Sequence, residues 1–148
     1  MFDEILSDMP ADLRAYVETM REVKQRADKH PEIDVYSHLR AVTDRIAHLK
    51  DINLSVSAVC HDFGKDRTTR LDEKTGILMS PGHARYSAQC VGIWKDWVRS
   101  TGADPYVVAQ IITYHMFPKE VDKWEKKVPS DILEYVRTFS TYDYGGTE

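Results

Sequence analysis

Two cysteines in 148 residues cannot supply a disulfide framework or a thiolate-rich structural zinc site. Cys60 and Cys90 both lie in apolar helical contexts. They read as free buried thiols, and the compartment as cytoplasmic. Proline and glycine are sparse, six and seven residues. They sit between periodic segments as punctuation, and there is no internal repeat or low-complexity stretch. No run approaches the roughly 18 apolar residues of a membrane span. The N-terminal MFDEILSDMP is acidic and has no apolar core of signal-peptide length, so no membrane is expected as a partner. Positive charge is in deficit, with 20 Lys and Arg against 24 Asp and Glu and a net charge of -4. This balance gives no general attraction to anionic membrane or long nucleic acid. What is present, 42% hydrophobic and 30% charged residues, is the mix of a soluble globular protein whose length suits one domain, residues 1–148.

Helical periodicity dominates. After Asp8 and Pro10, Leu13, Tyr16, Val17, Met20 and Val23 form a stripe predicted to run to His30-Pro31. A second helix is predicted from Asp34 to Lys50, with Val35, Leu39, Val42, Ile46 and Leu49 inward, His38 beside them and His48 exposed. A third, from Ile52 to Phe63, contains the apolar run Leu54–Cys60 and reads as buried. Residues 64–82 break the pattern: Asp72–Gly76 is a turn signal and Ile77–Met79 a short apolar return, so a loop with a small hairpin is expected. Ser80-Pro81-Gly82 restarts a helix with His83, Ser87, Cys90, Trp94 and Trp97 on one face. Asp104-Pro105 opens a fifth, where Val108, Ile111, Ile112 and His115 align until Phe117-Pro118. Residues 119–129 are charged and include Trp124. Ser130 is read as the cap of a sixth helix, with Ile132, Val136, Phe139 and Asp143 inward. The fold predicted is an all-α bundle of five to seven helices.

The chemistry centres on Cys60-His61-Asp62-Phe63-Gly64-Lys65. Two adjacent ionisable groups at the mouth of an apolar segment are costly to bury without compensation. A divalent cation would compensate them, because imidazole and carboxylate are both good ligands. Each feature has a plainer reading. A lone inward His38, His83 or His115 is usually a satisfied core histidine, Asp143 caps or pairs, Cys60 packs, and Lys65 is an exposed lysine beyond a helix end. Taken together they say more. His38, His83, His115 and Asp143 fall at inward positions on four helices and the His61-Asp62 pair on a fifth. If antiparallel packing brings those ends together, six groups suffice for two metal ions with positions left for water and substrate.

The ordered set His38, His61-Asp62, His83, His115, Asp143 resembles the HD-domain metal-dependent phosphohydrolases. Ala58–Lys65 is similar to the family's "LLHDLGK" form and Pro81–Ala88 to its "GHE…SA" form. The similarity covers about residues 34–144, the motif-bearing core of a single HD-type domain. Among its members the chain looks most like the HD domains appended to bacterial tRNA nucleotidyltransferases and small stand-alone relatives. It departs from the pattern at Ala84, where a glutamate is frequent, and at Tyr114-His115, where two-metal members often have a double histidine.

The resemblance implies a metal-dependent phosphohydrolase that uses metal-activated water on a nucleotide or other small phosphorylated substrate. His38, His61, Asp62 and Asp143 would hold one ion, and Asp62 would bridge to a second held by His83 and His115. One or two divalent ions are implied, drawn from Mn, Fe, Zn, Ni, Co or Mg. Asp62 and Lys65 are the candidate catalytic residues, Lys65 touching the phosphate or protonating the leaving group. Arg85 and Arg67 join Lys65 as candidate substrate-binding residues, with Arg40 and Arg70 behind them, and loop 66–80 is the candidate lid. Two alternatives remain: a 2′,3′-cyclic phosphodiesterase or nuclease acting on RNA or DNA ends, and a degenerate module that binds metal or nucleotide without turnover.

Overall fold

The computed structural model describes residues 1–25, 34–116 and 127–144. These form an all-α bundle with one small hairpin. In chain order the helices are α1 (Phe2–Ser7), α2 (Ala11–Thr19), α3 (Val35–Ile46), α4 (Ile52–Cys60), α5 (Lys65–Thr68), α6 (His83–Ile93), α7 (Lys95–Ser100), α8 (Pro105–Tyr114) and α9 (Leu133–Tyr144). Strands β1 (Arg70–Asp72) and β2 (Ile77–Met79) pair antiparallel with Leu71 opposite Leu78. Among the described residues no helix is long and apolar enough to cross a membrane.

The starts of the central helices follow from their caps. Asp34 accepts from Ser37 N, Asp51 from Asn53 N and Leu54 N, and Asp104 from Tyr106 N with Pro105 in the first turn. Each such cap stabilises its helix by about 1 kcal/mol. Several boundaries differ from expectation. Helix α3 ends at Ile46 and passes into a 3-10 turn over Ala47–Leu49, which leaves Leu49 exposed rather than inward, and α4 ends at Cys60, short of Phe63. The first long helix stops at Thr19, continues as a 3-10 turn over Met20–Glu22, and gives way to a bridge between Lys24 and Asp34. The last begins at Leu133 rather than at Ser130, leaving Ile132 buried just before it. Trp94 breaks the fourth predicted helix into α6 and α7, so Cys90 and Trp94 are only half-buried while Trp97 is buried. The predicted helix ends at His30-Pro31 and Phe117-Pro118, and Trp124, lie outside the described residues.

Helix α1 was not foreseen. Phe2, Ile5 and Leu6 are buried, the Phe2 ring meets Tyr36 edge-on, and Arg40 grips both carboxylate oxygens of Asp3 at 3.0 and 2.8 Å. Arg40 is therefore a clamp between α3 and α1. That corrects its place among the candidate phosphate ligands, because its fork is already used.

Helix α4 is the axis of the molecule. Leu54 through Cys60 are all buried, as suits a run without a charged side chain, and the Ser57 hydroxyl is satisfied by donating to Asn53 O at 2.6 Å. Val56, Val59 and Cys60 join one apolar cluster with residues of α1, α2, α7 and α8, while Leu54 and Ala58 join a second with Val42, Ile46, Ile111, Val136 and Phe139. Burial of valines such as Val56 and Val59 contributes about 1.5–3 kcal/mol each. Beyond α4 the chain turns through His61–Gly64 against α6. A Cβ on Gly64 would lie 2.5 Å from the His83 carbonyl oxygen and 2.7 Å from Tyr86 Cβ. Only glycine permits this approach, which is fastened by Gly64 N donating to Ser87 Oγ at 2.7 Å.

Candidate metal centre

Three of the histidines are aimed by one local device. The end of a helix leaves carbonyls without intrahelical partners, and a histidine placed there can donate to one. His61 follows α4 and its Nδ1 meets Ala58 O at 2.7 Å; His115 follows α8 and its Nδ1 meets Ile112 O. His83, the first residue of α6, shares the three-residue spacing but not the helix end: its Nδ1 meets Ser80 O in the turn that precedes the helix, at 2.9 Å. A carbonyl only accepts, so Nδ1 carries the proton in each ring. In the neutral ring Nε2 is then a bare lone pair, the tautomer a metal-binding histidine needs.

These lone pairs converge on Asp62. Its Oδ2 lies 3.3 Å from His61 Nε2 and 3.5 Å from His38 Nε2, and its Oδ1 lies 3.2 Å from His83 Nε2 and 3.6 Å from His115 Nε2. Asp143, from α9, places Oδ1 3.0 Å from His38 Nε2 and 3.2 Å from His61 Nε2. All six side chains are buried. Phe139 supplies a dry wall, its ring edge-on to His61 and His115 at centroid distances of 5.2 and 6.1 Å.

The donors fit a cation. His38 and His61 present Nε2 atoms 3.2 Å apart, and His83 and His115 present theirs 3.3 Å apart. Two nitrogens on one ion at about 2.1 Å are separated by about 3.0–3.4 Å. Asp62 Oδ1 is buried yet has no hydrogen-bond partner, although two ring nitrogens face it. An acceptor facing acceptors is stable when a cation or a proton lies between them. Two groups, His38-His61-Asp62 and Asp62-His83-His115, have ligand atoms within 4.8 Å of one another and could hold metal.

Charge follows the same geometry. Burial draws the His61 imidazolium down, but the carboxylates of Asp62 and Asp143 outweigh it and push the group up to about 10. Burial favours the neutral forms of Asp62 and Asp143, yet His61, with Lys65 for one and His38 for the other, holds both well below the usual carboxylate range. His115 goes the other way: burial lowers it, Asp62 opposes this, and His61 and His83 reinforce it.

The structure separates the cationic candidates. Lys65 is not the exposed residue of the plainer reading; it is buried, with Nζ 3.1 Å from Asp62 Oδ2 and 2.7 Å from Gln25 Oε1. Arg85 is exposed on the first turns of α6, two residues beyond His83. Arg67 is exposed on α5 and acts electrostatically on Cys90, which lies about 10 Å along α6 from His83. Arg70 is exposed on β1, in a hairpin whose Leu71 and Met79 also face solvent. A cavity of about 250 Å³ lined by Asp51, Leu54, Asp131, Glu134, Tyr135 and Thr138 lies at the other end of α4 and includes none of the six. Sequence reasoning missed Gln25 and the Phe139 wall. The aiming carbonyls were foreseeable, since His61 and His115 were already placed at helix ends.

No family model and no solved structure matches the chain. Curated relatives named "Multifunctional CCA protein", from Xylella fastidiosa strains 9a5c, M12 and Temecula1, are each 46% identical over 50 residues. That alignment takes in 32% of this chain and spans 12% of the length of those relatives. The similarity is compatible with an enzyme of nucleotide chemistry.

Proposed function

We propose that the chain is a metal-dependent phosphohydrolase that cleaves a nucleotide or another small phosphate ester, and that residues 1–148 act as one HD-type unit with its core at about 34–144. The observation that carries this reading is Asp62: a buried carboxylate whose Oδ1 has no hydrogen-bond partner while His83 and His115 turn their Nε2 atoms toward it. A structural carboxylate would be hydrogen-bonded. The short match to the CCA proteins supports the nucleotide end of the substrate range.

In this reading His38, His61, Asp62 and Asp143 would hold one divalent ion, and Asp62 with His83 and His115 would hold a second. When bound, such ions lower the pKa of water and neutralise charge on phosphoryl oxygens. The rest is the work of the chain. Backbone carbonyls keep three imidazoles in the ligand tautomer. Phe139 limits water, which strengthens every electrostatic contact beside it. Lys65 partly neutralises Asp62 and offers a remaining N–H to a phosphoryl oxygen, and Arg85 meets the substrate's phosphate from the rim. Loop 66–80, with its exposed hairpin, is the element proposed to distinguish substrates.

The test is release of phosphate, or ring opening, from a panel of mono-, tri- and 2′,3′-cyclic nucleotides with Mn²⁺, for the wild type and Asp62→Ala. Turnover by the wild type and its loss in the variant is the expected result. A folded, metal-loaded wild type that turns over nothing would leave a binding module instead.

A further inference from the structure

We propose that Gln25 is a positioning residue of the centre, holding the Lys65 ammonium against Asp62 Oδ2. The inference rests on the metal-centre reading and extends the site to a segment before the motif-bearing core. A lysine carries a compact charge on a flexible four-carbon stem, and one carboxylate contact leaves its ammonium free to swing. Here it is held from two sides, by Gln25 Oε1 at 2.7 Å and Asp62 Oδ2 at 3.1 Å, with Lys65 only 7% exposed. An ammonium only donates, so the amide must present its oxygen. What that contact supplies is an acceptor oxygen at a fixed place, and so a direction for the cation.

Gln25 is itself placed by the backbone. The preceding Lys24 bridges Asp34, and Val35 N donates to Val23 O at 2.8 Å, tying this strand-like stretch to the start of α3. The Gln25 side chain is buried and reaches 40 residues along the sequence to Lys65. With two of the three ammonium N–H groups directed at Gln25 and Asp62, the direction of the third is set. In the proposed reaction that N–H meets a phosphoryl oxygen, so Gln25 acts through Lys65 and contacts neither metal nor substrate.

The experiment compares Gln25→Leu, Gln25→Glu, Lys65→Met and the Gln25→Leu/Lys65→Met double variant, all as the full chain. The first readout is the lysine ammonium ¹H–¹⁵N spectrum, in which Lys65→Met identifies the Lys65 signal. A buried, doubly bonded ammonium gives a slowly exchanging signal; it is expected in the wild type and Gln25→Glu and lost in Gln25→Leu. The second is turnover of the best nucleotide of the panel with Mn²⁺. Gln25→Leu is expected to lower kcat about tenfold to a hundredfold with KM nearly unchanged, in the range a misplaced catalytic group costs. Gln25→Glu recovers most of it, and the double variant is no worse than Lys65→Met alone. An unchanged Lys65 signal in Gln25→Leu, or effects of the two substitutions that multiply, would overturn the proposal. A wild type that takes up no metal and turns over nothing would instead defeat the metal-centre reading, and the ammonium spectrum would still decide the role of Gln25.

Discussion

The two sides of Asp62 are built differently. Oδ2 faces His38 and His61, with Asp143 close to both histidines and Lys65 on its flank. Among the described residues, Oδ1 faces His83 and His115. The first side brings carboxylate oxygens from two residues to a pair of imidazoles; the second brings one. Greater anionic charge favours a divalent ion, so the Asp143 side is expected to bind tightly and the His83–His115 side more weakly.

Removing Asp62, the ligand proposed to be shared, has the largest expected effect, because it erases the comparison. Asp62→Ala should lose both ions by elemental analysis and lower turnover on the order of a thousandfold or more. It leaves Lys65 buried with Gln25 as its remaining partner, and stripping one member from a buried pair costs about 3–5 kcal/mol. Thermal unfolding should register that loss while far-UV circular dichroism stays helical. Substitutions confined to one side should separate the two. Asp143→Asn should weaken the first equivalent of Mn²⁺ in a calorimetric titration by at least about tenfold, whereas His115→Gln should abolish the second equivalent and spare the first.

Gly64→Ala tests the packing beneath both sides. Its Cβ would press on the His83 carbonyl, and overpacking of this kind costs about 1–3 kcal/mol. A lowered melting temperature, with the second equivalent weakened more than the first, is the expected outcome. The pH dependence sharpens the contrast. In the cation-free chain the His61 pKa is raised to about 10, so its stabilisation is complete below the unfolded value of about 6.5 and lost as pH rises toward 10. Asp62 and Asp143 are lowered; their stabilisation is present above the unfolded value of about 3.9 and lost as pH falls through their folded values. Mn²⁺ bound as proposed would displace the proton from His61, so it should remove the alkaline loss, and tight-side affinity should rise with pH. Burial holds the His115 imidazolium below the usual histidine range, so a proton competes less at that ligand than at His61. Smallest of all, Arg85→Ala should raise KM a few-fold with kcat intact, as expected for a rim contact to phosphate, and Arg67→Ala should do less.

Most of this was written in periodicity. The buried run Leu54–Cys60, the Asp104-Pro105 start and the inward positions of His38, His115 and Asp143 follow from spacing alone, because a helix turns one face to the core regardless of its partners. What spacing does not carry is contact between distant segments. Gln25 sits in an irregular stretch whose place is set by a bridge to Asp34, and nothing local marks it. Lys65 reads as surface because it follows a helix end; the structure buries it with its ammonium between Gln25 and Asp62. The six residues of α1 show too little of a period to mark a helix, and Phe2 is held by Tyr36 and Asp44 from α3.

The central claim is that Asp62 is shared by two cation positions of unequal strength. Titration of the metal-free chain with Mn²⁺, followed by calorimetry and by Mn²⁺ electron paramagnetic resonance, tests it most directly. A tight and a weak equivalent with spin coupling between the ions, all absent in Asp62→Ala, is the result expected. Full binding retained in Asp62→Ala, or no binding by the wild type, would contradict it.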